Sequence, residues 1–386
     1  MEEGLVLILQ IEALAKNLQQ AKAALDSPIF KVEAIASKLR NAVRNRFEWQ
    51  LNNMAKELTA LQKQVNNTSL DKCWDSLRKI RRKCKDLFRE CLAFVEGALV
   101  RGAGLDNHLC LVADAFIDDL SERADISWGR FTIMATDEFF TQITEIIRLR
   151  FPDFDILQLP VAAHELGHFI GEKVRKEMDP DPFRVILEKE ETPLKEFHQE
   201  FRFLHEQFAD LFAVFALGPA YACTCIMRNF DPVKAHQDKV EHPADGKRVY
   251  FILRAMEALD QDVTKPYLGI RNYLQNLWEQ NIKAVETPWP LVQKELERLD
   301  DRLQRLLEVM HFRLNNVRYK SWHLASVLAD EMLLGGVKTQ NLQLPDILNA
   351  AWKCRLFEPD EYKRRNIGEQ SLGLCLQVAG EKAGGE

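Results

Sequence analysis

The chain has 386 residues, 46% of them hydrophobic, which is typical of a globular protein with room for two or three domains. Its formal net charge of −6 excludes a general electrostatic attraction to nucleic acid or to an anionic membrane surface. The eight cysteines form no C-x-x-C pair, so we expect a reduced, cytoplasmic protein rather than a disulfide framework.

The N-terminal region, residues 1–98, is predicted to form a helical bundle or hairpin. Apolar residues from Ile35 to Val65 recur at steps of three and four, the spacing of one buried helix face. The next predicted helix carries a basic run at 78–85, for which a solvated helix face is favoured over a nucleic-acid patch because the whole chain is acidic. These helices carry no chemistry of their own, so we interpret the region as a packing module or as a docking module for a protein partner.

The middle region, residues 99–275, contains one of the few candidate strands of the chain. The sequence RFTIMA at 130–135 is rich in β-forming residues, and helices are predicted around 106–122 and through 136–151. This composition favours a mainly α domain with a small β element.

An apolar stretch at 208–227 approaches the length of a membrane span. Asp210 interrupts it, and Gly218 with Pro219 breaks the helical pattern. We therefore expect a buried helix that ends near Leu217, and no insertion into a membrane.

The C-terminal region, residues 276–386, is predicted to be helical. A long amphipathic helix follows TPWP at 287–290, and its apolar stripe extends from Leu291 to Leu314. The stripe is interpreted as a core face, with a surface for a partner helix as the alternative. The tail at 378–386 is predicted to be disordered.

The most informative motif is HELGH, residues 164–168. On a helix, positions i and i+4 lie on one face, so His164 and His168 can turn one ring nitrogen each to a common point. This is the H-E-x-x-H pattern, in which two histidines bind zinc and the glutamate, here Glu165, acts as general base. The alternative is a plain buried helix that happens to contain two histidines.

A catalytic zinc usually has three protein ligands, and the third must come from elsewhere in the chain. The metzincin pattern requires a histidine at the position occupied by Val174, so that arrangement is excluded. Glu206 is the preferred candidate, with His205 as a rival ligand. Asp210 shares a helix face with Glu206 and is predicted to accept a hydrogen bond from a zinc-bound histidine. An amphipathic helix with an exposed polar face is the alternative.

Three motifs occur in the order HELGH, EQFAD and HPADGKR, the last beginning at His242. In this order they resemble the HtpX and CAAX-prenyl-protease group of gluzincin metallopeptidases, over roughly residues 105–260. The resemblance implies a zincin-like core in which His164, His168 and Glu206 bind Zn²⁺ and Glu165 is the base. It also implies that His242 and Arg248 line the cleft near the substrate. The chain lacks the membrane helices of those families, so their membrane-protein substrates do not carry over.

The sequence thus predicts a zinc metallopeptidase that acts on a protein or peptide substrate, built from a zincin-like catalytic domain at 99–275 between two helical regions. Two alternatives stay open. One is a catalytically silent, zinc-containing helical scaffold. The other is a peptidase that is inactive until a partner binds the N-terminal helices.

Overall fold

The computed structural model describes residues 5–24, 37–65, 67–126, 132–135, 139–140, 147–150, 155–240, 242–260, 264–285 and 292–383. Helices account for most of these residues, which confirms the prediction of a mainly α protein with a small β element. The chain divides into two compact units. The first comprises Met1–Cys110 with Gly129–Pro152, and the second comprises Leu111–Trp128 with Asp153–Glu386. The division into three domains at 1–98, 99–275 and 276–386 stays a prediction.

The first unit contains three helices and a small sheet. The helices are α1 (Leu5–Ala24), α2 (Ser37–Gln64) and α3 (Leu70–Gly102), and the strands are β1 (Thr132–Ala135), β2 (Phe139–Phe140) and β3 (Ile147–Arg150). The predicted apolar stripe forms the core of this unit, where residues from Phe47 to Val65 pack with the buried face of α3. Ile35 lies outside the described residues. Gly97 allows α3 to approach β1, because a Cβ atom there would collide with the Met134 carbonyl oxygen.

The sheet has the strand order β1-β3-β2. β3 pairs in parallel with β1 over Thr132–Ala135 and antiparallel with β2. The strand predicted at 130–135 is confirmed in its described part. The helix predicted through 136–151 is wrong, because β2 and β3 occupy its described residues. Pairing on both sides of β3 satisfies its backbone groups and outweighs the local helical pattern, as tertiary context often does for short strands.

The described residues of the second unit contain helices and connecting segments but no strand. Its α-helices are α4 (Leu109–Arg123), α5 (Pro160–Glu177), α6 (Pro182–Lys189), α7 (Phe197–Leu217), α8 (Pro219–Thr224), α9 (Asp245–Leu259), α10 (Leu268–Ala284), α11 (Gln293–Arg313), α12 (Trp322–Leu334), α13 (Leu344–Phe357), α14 (Pro359–Arg364) and α15 (Ile367–Ala383). Short 3₁₀ helices at Ile156–Gln158, Pro232–Lys234 and Asn315–Val317 and a π-helical turn at Cys225–Asn229 connect them. Helix α4 begins two residues before this unit.

Helices α5 and α7 form the centre of the second unit. Both are buried along most of their length, and Pro160 begins α5 at the position where a missing N–H costs nothing. Gly167 is the point of closest approach, since a Cβ atom there would lie 2.9 Å from the Ala209 Cα. The absence of a side chain at Gly167 therefore sets the distance between the two helices.

The predicted boundaries in the second half of the chain are mostly confirmed. Helix α7 ends at Leu217, and α11 buries its apolar stripe from Leu299 to Leu314. The segment at 287–290 lies outside the described residues. The prediction of a disordered tail is wrong up to Ala383, because α15 extends that far and buries Ala379.

Two further properties concern the solvent and redox environment. None of the helices in the described ranges combines the length and the apolar character that crossing a bilayer requires. The eight cysteines are all free, and seven of them are buried. Cys223 and Cys225 are among the buried ones.

The close approach of α5 and α7 predicts the effect of a methyl group at position 167. We expect Gly167→Ala to lower the free energy of unfolding by about 1–3 kcal/mol, because the added Cβ overlaps backbone atoms of Ala209 that have no room to move. Gly373→Ala, in the open middle of α15, is the control and should be stabilising by up to about 1 kcal/mol. Urea unfolding compares the two, and equal stabilities would contradict the packing described here.

Candidate metal centre

The two histidines of HELGH lie one turn apart on α5 and face the same point. Their Nε2 atoms are 3.1 Å apart, and the ring planes are nearly perpendicular. His164 is buried, and the His168 side chain is 18% exposed, so the point they share is partly open to solvent.

Glu206 of α7 completes a group of three. Its Oε2 lies 3.5 Å from His164 Nε2, and its Oε1 lies 3.3 Å from His168 Nε2. Ligand atoms at about 2.0–2.1 Å from a tetrahedral metal lie about 3.3 Å from each other. The three side chains offer atoms at comparable separations, with each imidazole nearest a different oxygen of Glu206. Within the part of the chain that the structure describes, this is the one such group of histidine, cysteine and acidic side chains.

The charge of the group also fits a cation. Arg248 is paired with Asp210, so the charge of Glu206 is balanced only by a proton or a metal ion held at the histidines. Glu206 Oε2 is buried and has no hydrogen-bond partner among the described residues. Because an unpaired buried charge is costly, the group has a place for one positive ion.

The protonation of the group is consistent with a ligand set. Burial raises the pKa of Glu206, but the neighbouring histidines and Arg248 outweigh it and hold the pKa well below its usual range. Burial lowers the pKa of His168 to about 3, so its ring is neutral. Burial also lowers the pKa of His164, but the neighbouring carboxylates of Asp210 and Glu206 raise it to about 10. A coordinated metal would displace that proton, since a ligand imidazole must be neutral.

Asp210 supports the outer edge of His164. It is completely buried on α7, and its Oδ1 lies 3.0 Å from His164 Nδ1. Arg248 of α9 donates to both oxygens of this carboxylate, at 2.7 and 2.9 Å. The pKa of Asp210 is lowered, because the charge of Arg248 and these hydrogen bonds outweigh the effect of burial. The predicted role of Asp210 as a partner of a histidine therefore agrees with its position.

Tyr221 of α8 is a member of the site that the sequence analysis missed. Its hydroxyl donates to Asp210 Oδ1 at 2.5 Å and lies 2.9 Å from His164 Nδ1. Burial and the Asp210 charge raise the pKa of Tyr221, so its proton stays in place. No motif marks this tyrosine, which follows the Gly218-Pro219 break and reaches His164 only because α8 packs against α5.

His205 lies behind His168 rather than beside the common point. The two Nδ1 atoms are 3.1 Å apart, and His205 is outside the group of three converging ligand atoms. His205 is therefore a less favourable candidate for the third ligand than Glu206.

Glu165 and His242 occupy different surroundings. Glu165 is buried on α5 between the two histidines of the motif in sequence, and is outside the converging group. His242 Nδ1 lies 3.0 Å from Glu206 Oε2, but neither atom makes a well-aligned hydrogen bond within the described ranges. The His242 side chain is 43% exposed, so it borders both the buried group and solvent.

Arg248 is more enclosed than the sequence analysis implied. Its side chain is 12% exposed, its guanidinium stacks over Phe230 and its hydrogen bonds go to Asp210. The nearest Glu206 oxygen is 3.8 Å away. The structure thus brings together six of the residues that the sequence singled out, with Arg248 behind the candidate ligands; these are His164, His168, Glu206, Asp210, His242 and Arg248.

Comparisons with known proteins give no support to any family. No protein-family model matches the chain, and no curated protein or solved structure is significantly similar to it.

The buried Asp210–Arg248 pair predicts a strong effect on stability. We expect Asp210→Asn to lower the free energy of unfolding by about 3–5 kcal/mol, because the Arg248 charge is left buried without its partner. Arg248→Met should cost less when Asp210 is already replaced, so the double variant should be more stable than the sum of the single changes indicates.

Urea unfolding of the metal-free variants measures these values. Asp330→Asn is the matched control, because Asp330 is an exposed partner of Lys353 and should contribute little. Additive effects of Asp210→Asn and Arg248→Met would contradict the proposed coupling.

Proposed function

We propose that the protein is a zinc-dependent metallopeptidase of the gluzincin type, which hydrolyses peptide bonds in a protein or peptide substrate. The observation that carries this proposal is the convergence of two imidazoles from one helix and a carboxylate from another at separations that fit one metal ion. The H-E-x-x-H motif adds a glutamate directly after the first of these histidines.

The donor set favours zinc among the common metals. Two neutral imidazoles and one carboxylate are a ligand set of catalytic zinc sites, which leave a fourth position for water or substrate. Ca²⁺ and Mg²⁺ prefer sites made of oxygen ligands only. A bound Zn²⁺ would lower the pKa of water to about 7 and polarise a carbonyl group.

Glu165 is the proposed general base. Glu165 follows His164 by one residue, so the two side chains leave the helix in directions about 100° apart. Its carboxylate would accept a proton from the attacking water and deliver it to the amine that leaves when the peptide bond breaks. Glu165 is 7% exposed, so its carboxylate is shielded from bulk water.

His242 and Arg248 receive different roles in this proposal. His242 is half-exposed beside Glu206, so it can donate a hydrogen bond to the oxygen that gains charge during hydrolysis. Arg248 is committed to Asp210, so we assign it to holding that carboxylate, and through it His164, in position. A cytoplasmic location, and control by a partner that docks on the N-terminal helices, belong to the same proposal.

Metal analysis tests the ligand set. We expect one zinc ion per chain in protein purified without chelators, because three ligands on two packed helices form a site before the metal arrives. His164→Ala and His168→Ala should abolish zinc binding, and Glu206→Ala should weaken it. Elemental analysis of the purified proteins measures the stoichiometry.

His198→Ala is the control for this series, since His198 is exposed on α7 and lies outside the group. It should retain the full metal content. A wild-type protein without any tightly bound transition metal would contradict the site. Loss of zinc in His205→Ala but not in Glu206→Ala would show that His205, and not Glu206, is the third ligand.

Replacement of Glu165 separates the peptidase from the silent scaffold. We expect Glu165→Gln to keep its fold and its zinc content but to lose peptide hydrolysis by at least about 10²-fold, because the amide cannot accept the proton of water. The measurement is cleavage of a randomised peptide pool by zinc-loaded wild type and variant, with the products identified by mass spectrometry.

Glu177→Gln is the matched control, at the exposed end of the same helix and paired with Arg313. It should hydrolyse the pool as the wild type does. Equal rates for Glu165→Gln and wild type would remove the proposed mechanism. A zinc-loaded wild type that cleaves no peptide or protein would favour the scaffold.

A further inference from the structure

The edge of His168 that faces away from the metal centre meets another histidine. His168 Nδ1 lies 3.1 Å from His205 Nδ1, while its Nε2 faces His164 and Glu206. The planes of His168 and His205 are inclined by only 11°, and their centroids are 5.3 Å apart. The centroid separation exceeds the Nδ1–Nδ1 separation by about the breadth of one ring. The two rings therefore meet edge to edge in nearly one plane, which is the alignment of an N–H···N hydrogen bond.

The direction of this hydrogen bond follows from the ligand role of His168. A neutral imidazole that presents the Nε2 lone pair to a metal must carry its proton on Nδ1. His168 Nδ1–H is then the donor and His205 Nδ1 the acceptor, which requires His205 to carry its own proton on Nε2. Both rings are neutral in this arrangement, so no further charge enters the buried site.

The surroundings of His205 keep its ring in this orientation. Phe183 of α6 meets it edge to face, with a centroid separation of 5.6 Å and an interplanar angle of 78°. Gly171 of α5 lies on another side, where a Cβ atom would be 3.6 Å from His205 Cε1. The ring is thus packed against Phe183, and the absence of a side chain at Gly171 leaves room for it beside α5.

We propose that His205 is a positioning residue for the metal centre: it accepts the hydrogen bond of His168 Nδ1–H and so fixes the tautomer and the ring orientation in which His168 Nε2 is presented. The inference rests on the proposed function, since it assigns His168 to a metal. It gives the two ligand histidines unlike partners, because the outer edge of His164 meets the charged Asp210 and that of His168 meets a neutral imidazole.

Substitutions that separate shape from hydrogen bonding test this role. His205→Phe keeps an aromatic ring but has no acceptor, and we expect it to weaken zinc binding about 10–100-fold, the usual effect of removing a partner of a metal ligand. His205→Asn retains an acceptor near the Nδ1 position and should restore most of the affinity. His198→Phe makes the same chemical change at an exposed position of the same helix and should leave affinity unchanged. Competition with a chelator of known affinity measures all four full-length proteins.

Nitrogen-15 NMR of the metal-free proteins provides a readout that does not depend on zinc or on activity. We expect His168 of the wild type to carry its proton on Nδ1, and the proton to redistribute between the two nitrogens in His205→Phe but not in His205→Asn. A wild-type His168 protonated on Nε2, or a tautomer that is unchanged in His205→Phe, would overturn the inference. Zinc affinity that is equal in wild type and His205→Phe would overturn it as well, while leaving the metal centre intact. A wild type that binds no zinc would refute the proposed function, and the NMR result would still decide whether His205 orients His168.

Discussion

The buried Asp210 carboxylate is the interaction on which the candidate site depends. It is completely inaccessible to solvent, so it must be paired within the protein. His164 on α5, Tyr221 on α8 and Arg248 on α9 supply groups that lie within hydrogen-bonding distance of it. Four helices, including α7 itself, are thereby held at one point. A buried ion pair is weak support for stability as such, but breaking it is costly, so the network favours one arrangement of these helices over others.

This arrangement gives each imidazole of the candidate metal centre an inner and an outer edge. The inner edges, both Nε2, meet Glu206, whereas the outer edges meet side chains that do not reach the common point. For His164 the outer partners are Asp210 and Tyr221. Tyr221 donates its own proton to Asp210. The Tyr221 hydroxyl oxygen and Asp210 Oδ1 can therefore both accept a hydrogen bond from His164 Nδ1–H, and His164 Nε2 stays free for a metal. The hydrogen bonds at the outer edge of His164 therefore specify which nitrogen carries the proton as well as where the ring lies.

The candidate ligands could be predicted from the sequence because helical periodicity relates residues four positions apart. His164 and His168 form one such pair, and Glu206 with Asp210 forms another, so one-dimensional spacing was sufficient to place each pair on a face. Tyr221 and the hydrogen bond between His168 and His205 could not be found in this way, because they arise from contacts between helices whose relative placement no local pattern specifies. The strand β3 was missed for the same reason, since its partner β1 lies outside the window in which periodicity operates.

The glycine of HELGH shows how one motif specifies both packing and chemistry. Gly167 lies between the two ligand histidines in sequence and meets the backbone of Ala209, which follows Glu206 by three residues on α7. Residues three apart share a helix face, so close contact at Ala209 brings Glu206 toward the histidines. The ligand separations of 3.3 and 3.5 Å across the two helices therefore depend on a position that has no ligand atom. A larger residue at 167 would move the carboxylate away from both imidazoles while every candidate ligand stayed in the sequence.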